Sequence, residues 1–156
     1  MDSPLGVIAI TACETALTRL RIYPRQHGAV PAGDHPVLKP AIEQMRAYFA
    51  GELTHFELTV ASLDSEEGAH LRAAIASIPY GQTRTYGALA SEAGSAAHAV
   101  GQACKTNPFP IIIPCHRVVS TSGPEYYSGG DGPLTKTWLN DFEYDHLPPA
   151  QRTRLI

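Results

Sequence analysis

Apolar and polar positions alternate over two short stretches near the start of the chain. Val7-Ile8-Ala9-Ile10-Thr11-Ala12-Cys13 reads as one strand and Ala16-Leu17-Thr18-Arg19-Leu20-Arg21-Ile22-Tyr23 as a second, so the pattern predicts a hairpin after a turn-rich opening, Asp2-Ser3-Pro4-Leu5-Gly6. Cys13 falls on the first strand and is expected to be a core residue. Proline, glycine and polar residues mark a loop from Pro24 to Gly33. The period then changes: Val37, Leu38, Ala41, Ile42, Met45, Tyr48 and Phe49 share one face of a helix over His35 to Phe49, with Gly51 as its stop. Phe56-Glu57-Leu58-Thr59-Val60 alternates and predicts a further strand.

The second half of the chain has helical periods. Ser65 to Ile78 predicts a helix with Leu71 and Ile75 on its apolar face. Thr85 is a good N-cap for Tyr86 to Ala93, which Gly94 ends, and Ala96 to Lys105 follows as a second short helix. Two short helices across a glycine turn predict a helix-turn-helix. Leu134 to Glu143 predicts a last helix with Leu134, Trp138, Leu139 and Phe142 facing inward, before a weakly structured tail from Tyr144 to Ile156. Between these helices, Pro110-Ile111-Ile112-Ile113 is uncharged and fenced by prolines, which predicts a short interior strand or extended segment. The expected architecture is α+β: a small strand-and-helix N-terminal lobe (1–63) and a helical C-terminal lobe (64–156) carrying a winged-helix-like helix-turn-helix.

Composition narrows the function. At 156 residues and 44% hydrophobic content the chain can bury one compact core or two small lobes sharing an interface. A formal net charge of −3 gives no global basic field, so nucleic-acid binding would need a local basic face. Three widely spaced cysteines, with no signal peptide and no long apolar span, predict free thiols in a reducing cytoplasm and no membrane partner. The seven scattered histidines and the absence of Cys-x-x-Cys offer no metal-ligand spacing.

The chemistry gathers at Pro114-Cys115-His116-Arg117-Val118-Val119. A thiol becomes a nucleophile only as thiolate, which requires a base or a positive field, and His116 and Arg117 are the local candidates. Taken alone, a Cys-His pair is more readily a small buried hydrophobe beside a histidine. The longer string from Asn107 changes that reading. Asn107-Pro108-Phe109-Pro110-Ile111-Ile112-Ile113-Pro114-Cys115-His116-Arg117-Val118-Val119 closely resembles the active-site segment of the 6-O-alkylguanine-DNA alkyltransferases, also called methylated-DNA–protein-cysteine methyltransferases. The resemblance runs from about Ile78 to Glu143, and more weakly to the N-terminus, where the lobe is implied to have a supporting role.

The resemblance implies a function and a set of residues. Cys115 would take an alkyl group from 6-O-alkylguanine in double-stranded DNA, irreversibly and once per molecule, with no metal or organic cofactor. His116 would accept the thiol proton, through a water, and Glu143, five residues after Trp138, would orient the imidazole. Tyr86 would protonate the leaving purine and Asn107 would brace the active-site segment. Val118, Tyr127, Ser128 and Cys104 would line the base pocket. The second helix of the helix-turn-helix would enter the minor groove through Ala96, Ala97, His98, Ala99 and Gly101, with Arg117 also at the DNA. The protein is expected to act as a monomer.

Several positions depart from the family pattern. His98 stands where an arginine fills the gap left by the extruded base, and the connection before it is about two residues shorter than usual. Leu71-Arg72 replaces a Val-Trp pair. The loop after the cysteine gains Glu125 and Asp131 and has altered spacing about Tyr127 and Ser128. These departures predict weaker DNA engagement. They frame an alternative, in which Cys115 accepts alkyl groups from a small molecule. A non-catalytic binder of alkylated DNA is the third reading, and the intact Pro-Cys-His-Arg argues against it.

Overall fold

The computed structural model describes residues 1–24, 34–62, 65–121, 127 and 129–152. Strands β1 (Asp2–Ser3), β2 (Gly6–Ala12) and β3 (Leu17–Tyr23) form an antiparallel sheet in that order, with Ile8 opposite Ile22 and Ile10 opposite Leu20. Alternation on β3 puts Leu20 and Ile22 into the core and leaves Arg19 and Arg21 outside, while Leu17, beside the register shift at the start of the strand, is buried and Thr18 is exposed. The register shifts between Thr11 and Ala12, and the chain leaves the sheet there, so Cys13 is an exposed thiol and not the core residue expected. Most of the loop read from Pro24 to Gly33 lies outside the described residues.

Helix α1 (Leu38–Phe49) buries Ala41, Met45 and Tyr48, as its spacing requires. The Phe56–Val60 segment is not a strand of the sheet. It meets β3 through a single parallel bridge, Leu17 to Val60, while the Gln44 side chain of α1 satisfies both backbone groups of Glu57. A side chain that pairs the backbone removes the need for a ladder.

Helix α2 (Glu66–Ala76) starts at Ser65, whose hydroxyl accepts from the Gly68 amide. Helix α3 (Tyr86–Ala93) is capped by Thr85 and ended by Gly94 at φ 67°, and α4 (Ala97–Lys105) follows to complete the helix-turn-helix. A two-residue parallel pairing of β4 (Arg84–Thr85) with β5 (Val118–Val119) ties the start of α3 to the segment after Cys115. Helix α5 (Pro133–Asp145) turns Thr135, Lys136, Leu139 and Glu143 inward. Leu134, expected inside, is 75% exposed because it sits one residue off that buried face in the first turn. The aromatics Tyr48 and Phe49 of α1 pack against Phe142 and Trp138 of α5, with ring centroids 5.7 and 6.2 Å apart, and so join the two parts of the chain. One continuous core runs from Ile8 through Tyr48 and Val100 to Leu139.

The apolar run before the cysteine is a turn, not a strand. Pro108, Pro110 and Pro114 have no N–H to give a ladder. The Asn107 side chain supplies the pairing instead, accepting from the Phe109 amide at 2.9 Å and donating to the Ile113 carbonyl at 2.9 Å. Ile113 closes the turn with an amide bond to the Phe109 carbonyl. Ile111 takes φ 75°, a strained conformation for a β-branched residue, which the surrounding core holds in place. The Leu20 amide of β3 donates to the Pro108 carbonyl, which fixes this turn against the sheet.

Candidate active site

The turn delivers Cys115 as the first residue of a 3₁₀ helix, Cys115–Arg117. The thiol is 3% exposed, and burial pushes its pKa up, so the resting group is protonated. The Asn107 side chain and, less strongly, the Lys136 ammonium work against that rise. Asn107 thus braces the turn and also favours the thiolate.

His116 is fully buried and touches one oxygen of Glu143: Nε2 lies 2.7 Å from Oε2. Desolvation lowers the imidazole pKa against the pull of Glu143, which makes the ring neutral. A neutral ring facing a carboxylate through Nε2 carries its proton there. Nδ1 is then the basic nitrogen, and it is buried with no hydrogen-bond partner among the described residues. Asn140 donates to the His116 carbonyl at 2.8 Å and fixes the backbone below the ring.

Glu143 is the hub. Besides His116, it accepts from Arg117 Nε at 2.8 Å and Nη2 at 3.1 Å, from the Tyr48 hydroxyl at 2.7 Å and from the Gly81 amide at 3.2 Å. Burial alone would raise its pKa, but His116 and Arg117 overcome that and hold the carboxyl well below the usual carboxylate range. Arg117 corrects the sequence reading. It was expected at the DNA, but it is 6% exposed, with its guanidinium on Glu143 and the Ile78 carbonyl. A desolvated carboxylate requires a buried cation, and the adjacent arginine fills that need.

Tyr86 opens α3 and is half-buried. Lys136, 2% exposed, places Nζ 3.4 Å from its hydroxyl. Lys136 escaped the sequence reading although it lies three and seven residues before Leu139 and Glu143, a helical spacing that puts all three on one face. Tyr48 lies on the apolar face of α1, and its partner stands 95 residues away, so no local signal marks it.

Val118 is fully buried directly after the 3₁₀ turn, and Tyr127 is 5% exposed. Cys104 is buried, and its pKa is pushed up to about 12 by desolvation first and the neighbouring Cys115 second. Ser128, Glu125 and Tyr126 lie outside the described residues. Helix α4 presents Ala96, Ala97 and His98 to solvent, with Ala99 and Gly101 half-exposed. A Cβ built on Gly101 or Gly87 meets nothing within 4 Å, so this surface is open. Its N-cap, Ala96, has no side-chain cap, which leaves the first amides of the helix available to an anion. Arg72 does not fill a tryptophan site. Its head reaches the Thr106 carbonyl at 3.3 Å and Asn107 Oδ1 at 3.5 Å, and its stem borders an apolar cleft of about 600 Å³ with Val60, Ala69, Pro108 and Phe109. Among the described residues, no group of His, Cys, Asp and Glu is placed to hold a metal, and no helix is long and apolar enough to cross a membrane.

Residues 69–144 match the family model of the 6-O-methylguanine DNA methyltransferase DNA binding domain, and residues 1–62 match that of the ribonuclease-like domain of the same proteins. A methylated-DNA–protein-cysteine methyltransferase of Mycolicibacterium paratuberculosis is 40% identical over 96% of this chain and 93% of its own length. The constitutive enzyme of Bacillus subtilis is 34% identical over 89% of this chain and 90% of its own length. The crystal structure of Mycobacterium tuberculosis O6-methylguanine methyltransferase superposes with a TM-score of 0.80 at 35% identity, covering 96% of this chain and 93% of that one. Mycobacterium tuberculosis OGT in complex with DNA gives 0.78 at 35% identity, covering 95% and 93%. With both family models matched in order and relatives about 40% identical over nearly the whole chain, the chain belongs to the 6-O-methylguanine DNA methyltransferase family.

Proposed function

We propose that this protein repairs DNA by moving the alkyl group of 6-O-alkylguanine irreversibly onto Cys115. Residues 1–63 form the supporting lobe, and residues 64–156 carry the chemistry and the DNA contact. The observation that carries the reading is the fully buried His116: its Nε2 meets Glu143 at 2.7 Å and its Nδ1 has no partner among the described residues, directly after the buried Cys115.

In this reading Nδ1 takes the Cys115 proton through one bridging solvent molecule. The thiolate attacks the alkyl carbon, a C–S bond forms and the C–O6 bond breaks. The electron pair leaves with the purine, which Tyr86 protonates. Lys136, 3.4 Å from the Tyr86 oxygen, stabilises the phenolate as it forms. The product is a thioether, which nothing in the site reverses, so each molecule reacts once and needs no cofactor. The Cys115 and Val118 carbonyls read the base edge, and Tyr127, Ser128 and Cys104 wall the pocket. Helix α4 approaches the minor groove with its small residues, and His98 takes the place of the departed base. The protein works as a monomer in the cytoplasm.

Salt dependence of duplex binding by a Cys115→Ala variant tests the DNA half of this reading. A DNA enzyme shows log Kobs falling steeply with log salt. A flat dependence with no measurable binding, alongside alkylation of the wild type by free benzylguanine, would replace DNA with a small-molecule donor.

A further inference from the structure

The N-terminal part of the chain reaches into the relay. Tyr48 of α1 is fully buried, and its hydroxyl donates to Glu143 Oε2 at 2.7 Å, the same oxygen that His116 Nε2 meets at 2.7 Å. The phenol has no alternative role as an acid, because burial first and Glu143 second raise its pKa far above 10.0. It is therefore a permanent neutral donor. Its ring is locked by Phe49, Phe56, Tyr80 and Phe142, with centroids 5.2 to 6.2 Å away, so the hydroxyl cannot swing off.

We propose that Tyr48 is a positioning residue of the nucleophile site: by sharing Glu143 Oε2 with His116, it sets how strongly the carboxylate pulls on the imidazole. Donors that share one oxygen divide its basicity, and Oε2 takes His116 Nε2, the Tyr48 hydroxyl and, at the longer distance of 3.1 Å, Arg117 Nη2. With Tyr48 in place Glu143 orients the ring without drawing a second proton onto it, and His116 stays able to accept the thiol proton. The other charged or titratable groups facing this pair are Arg117 on the 3₁₀ turn, Lys136 on α5, and Tyr80, Tyr127 and Cys115. Arg117 also reaches Oε2, through Nη2 at 3.1 Å, but its shorter bond is to Oε1 at 2.8 Å, so the Tyr48 hydroxyl at 2.7 Å is the closer of these two donors to Oε2.

This inference rests on the alkyl-transfer reading, and the test separates the two. The rate of alkyl uptake from free benzylguanine is measured against pH by intact mass for wild type and Tyr48→Phe. The expected result is that the acidic limb, where His116 becomes protonated and stops accepting, moves up by about one pH unit when a hydrogen bond to the buried carboxylate is lost. A Tyr48→Phe limb coincident with wild type, whatever its stability, overturns the inference. Should Tyr48→Phe not fold, difluorotyrosine incorporated at position 48 keeps the shape and donates more strongly. Its limb is expected to move down, and an unmoved limb overturns the inference. A wild type that takes up no alkyl group from any donor overturns the alkyl-transfer reading itself.

Discussion

Glu143→Gln is the most informative single change, because the carboxylate satisfies a buried cation and a buried imidazole together. Glutamine keeps the shape but removes the charge opposite Arg117, whose side chain is 8% exposed. Leaving a buried charge without its partner costs about 3–5 kcal/mol. That is a large share of the roughly 5–15 kcal/mol that holds a domain folded. At about 2–4 °C per kcal/mol for a chain of this size, the melting temperature should fall by about 6–20 °C. The loss should also depend on pH. The folded carboxyl titrates far below its ordinary value of 4.5, so its contribution is complete above that value and is lost as pH falls toward the folded pKa. Wild type should therefore lose stability below about pH 4.5, whereas the glutamine variant should be flatter there. The assay is thermal unfolding from pH 3 to 8, with alkyl uptake measured well below the melting point, where a slowing of about 100-fold is expected from loss of the oriented base. Adding Arg117→Met should restore more than half of the lost stability, since no charge is then stranded. A double variant as unstable as the single one would refute the claim that the stranded guanidinium is the cause.

Further expectations can be checked in parallel. Asn107→Ala removes two side-chain bonds inside the active-site turn and should cost about 2–3 kcal/mol in denaturant unfolding, with slower alkyl uptake. Lys136→Met removes a cation that opposes the raised Cys115 pKa, so the pH at which Cys115 reacts with a thiol reagent should move upward. His98→Arg adds a cation to the exposed face of α4. Duplex binding should tighten several-fold, and the log-log salt slope should steepen by about one.

The parts of the fold legible in the sequence are those with local causes. Ser65, Thr85 and Gly94 cap their helices because a hydroxyl or a missing Cβ acts within three residues. The hairpin and the inward face of α1 follow from period alone. The Ile111–Ile113 run misled because strand propensity describes side chains, while the prolines and Asn107 decided where the backbone bonds went. Leu134 misled because apolar character does not fix the angle at which a helix meets its core. In the site, the resemblance implies Cys115, His116 and Asn107 through the motif and Glu143 through its place after Trp138, and the structure brings His116 and Glu143 into contact. The resemblance puts Arg117 at the DNA, and only the fold reveals that a buried carboxylate claims it. Tyr48 and Lys136 act across the core, and their partners follow from packing that no short window contains.

The central claim is that Cys115 accepts the alkyl group of damaged guanine. Intact-mass spectrometry after mixing the protein with a duplex containing 6-O-methylguanine, followed by peptide mapping, tests it most directly. The expected result is a gain of one methylene per molecule, confined to Cys115, with no second gain in excess duplex. An unchanged mass, or a gain mapped to Cys104 or Cys13, would contradict it.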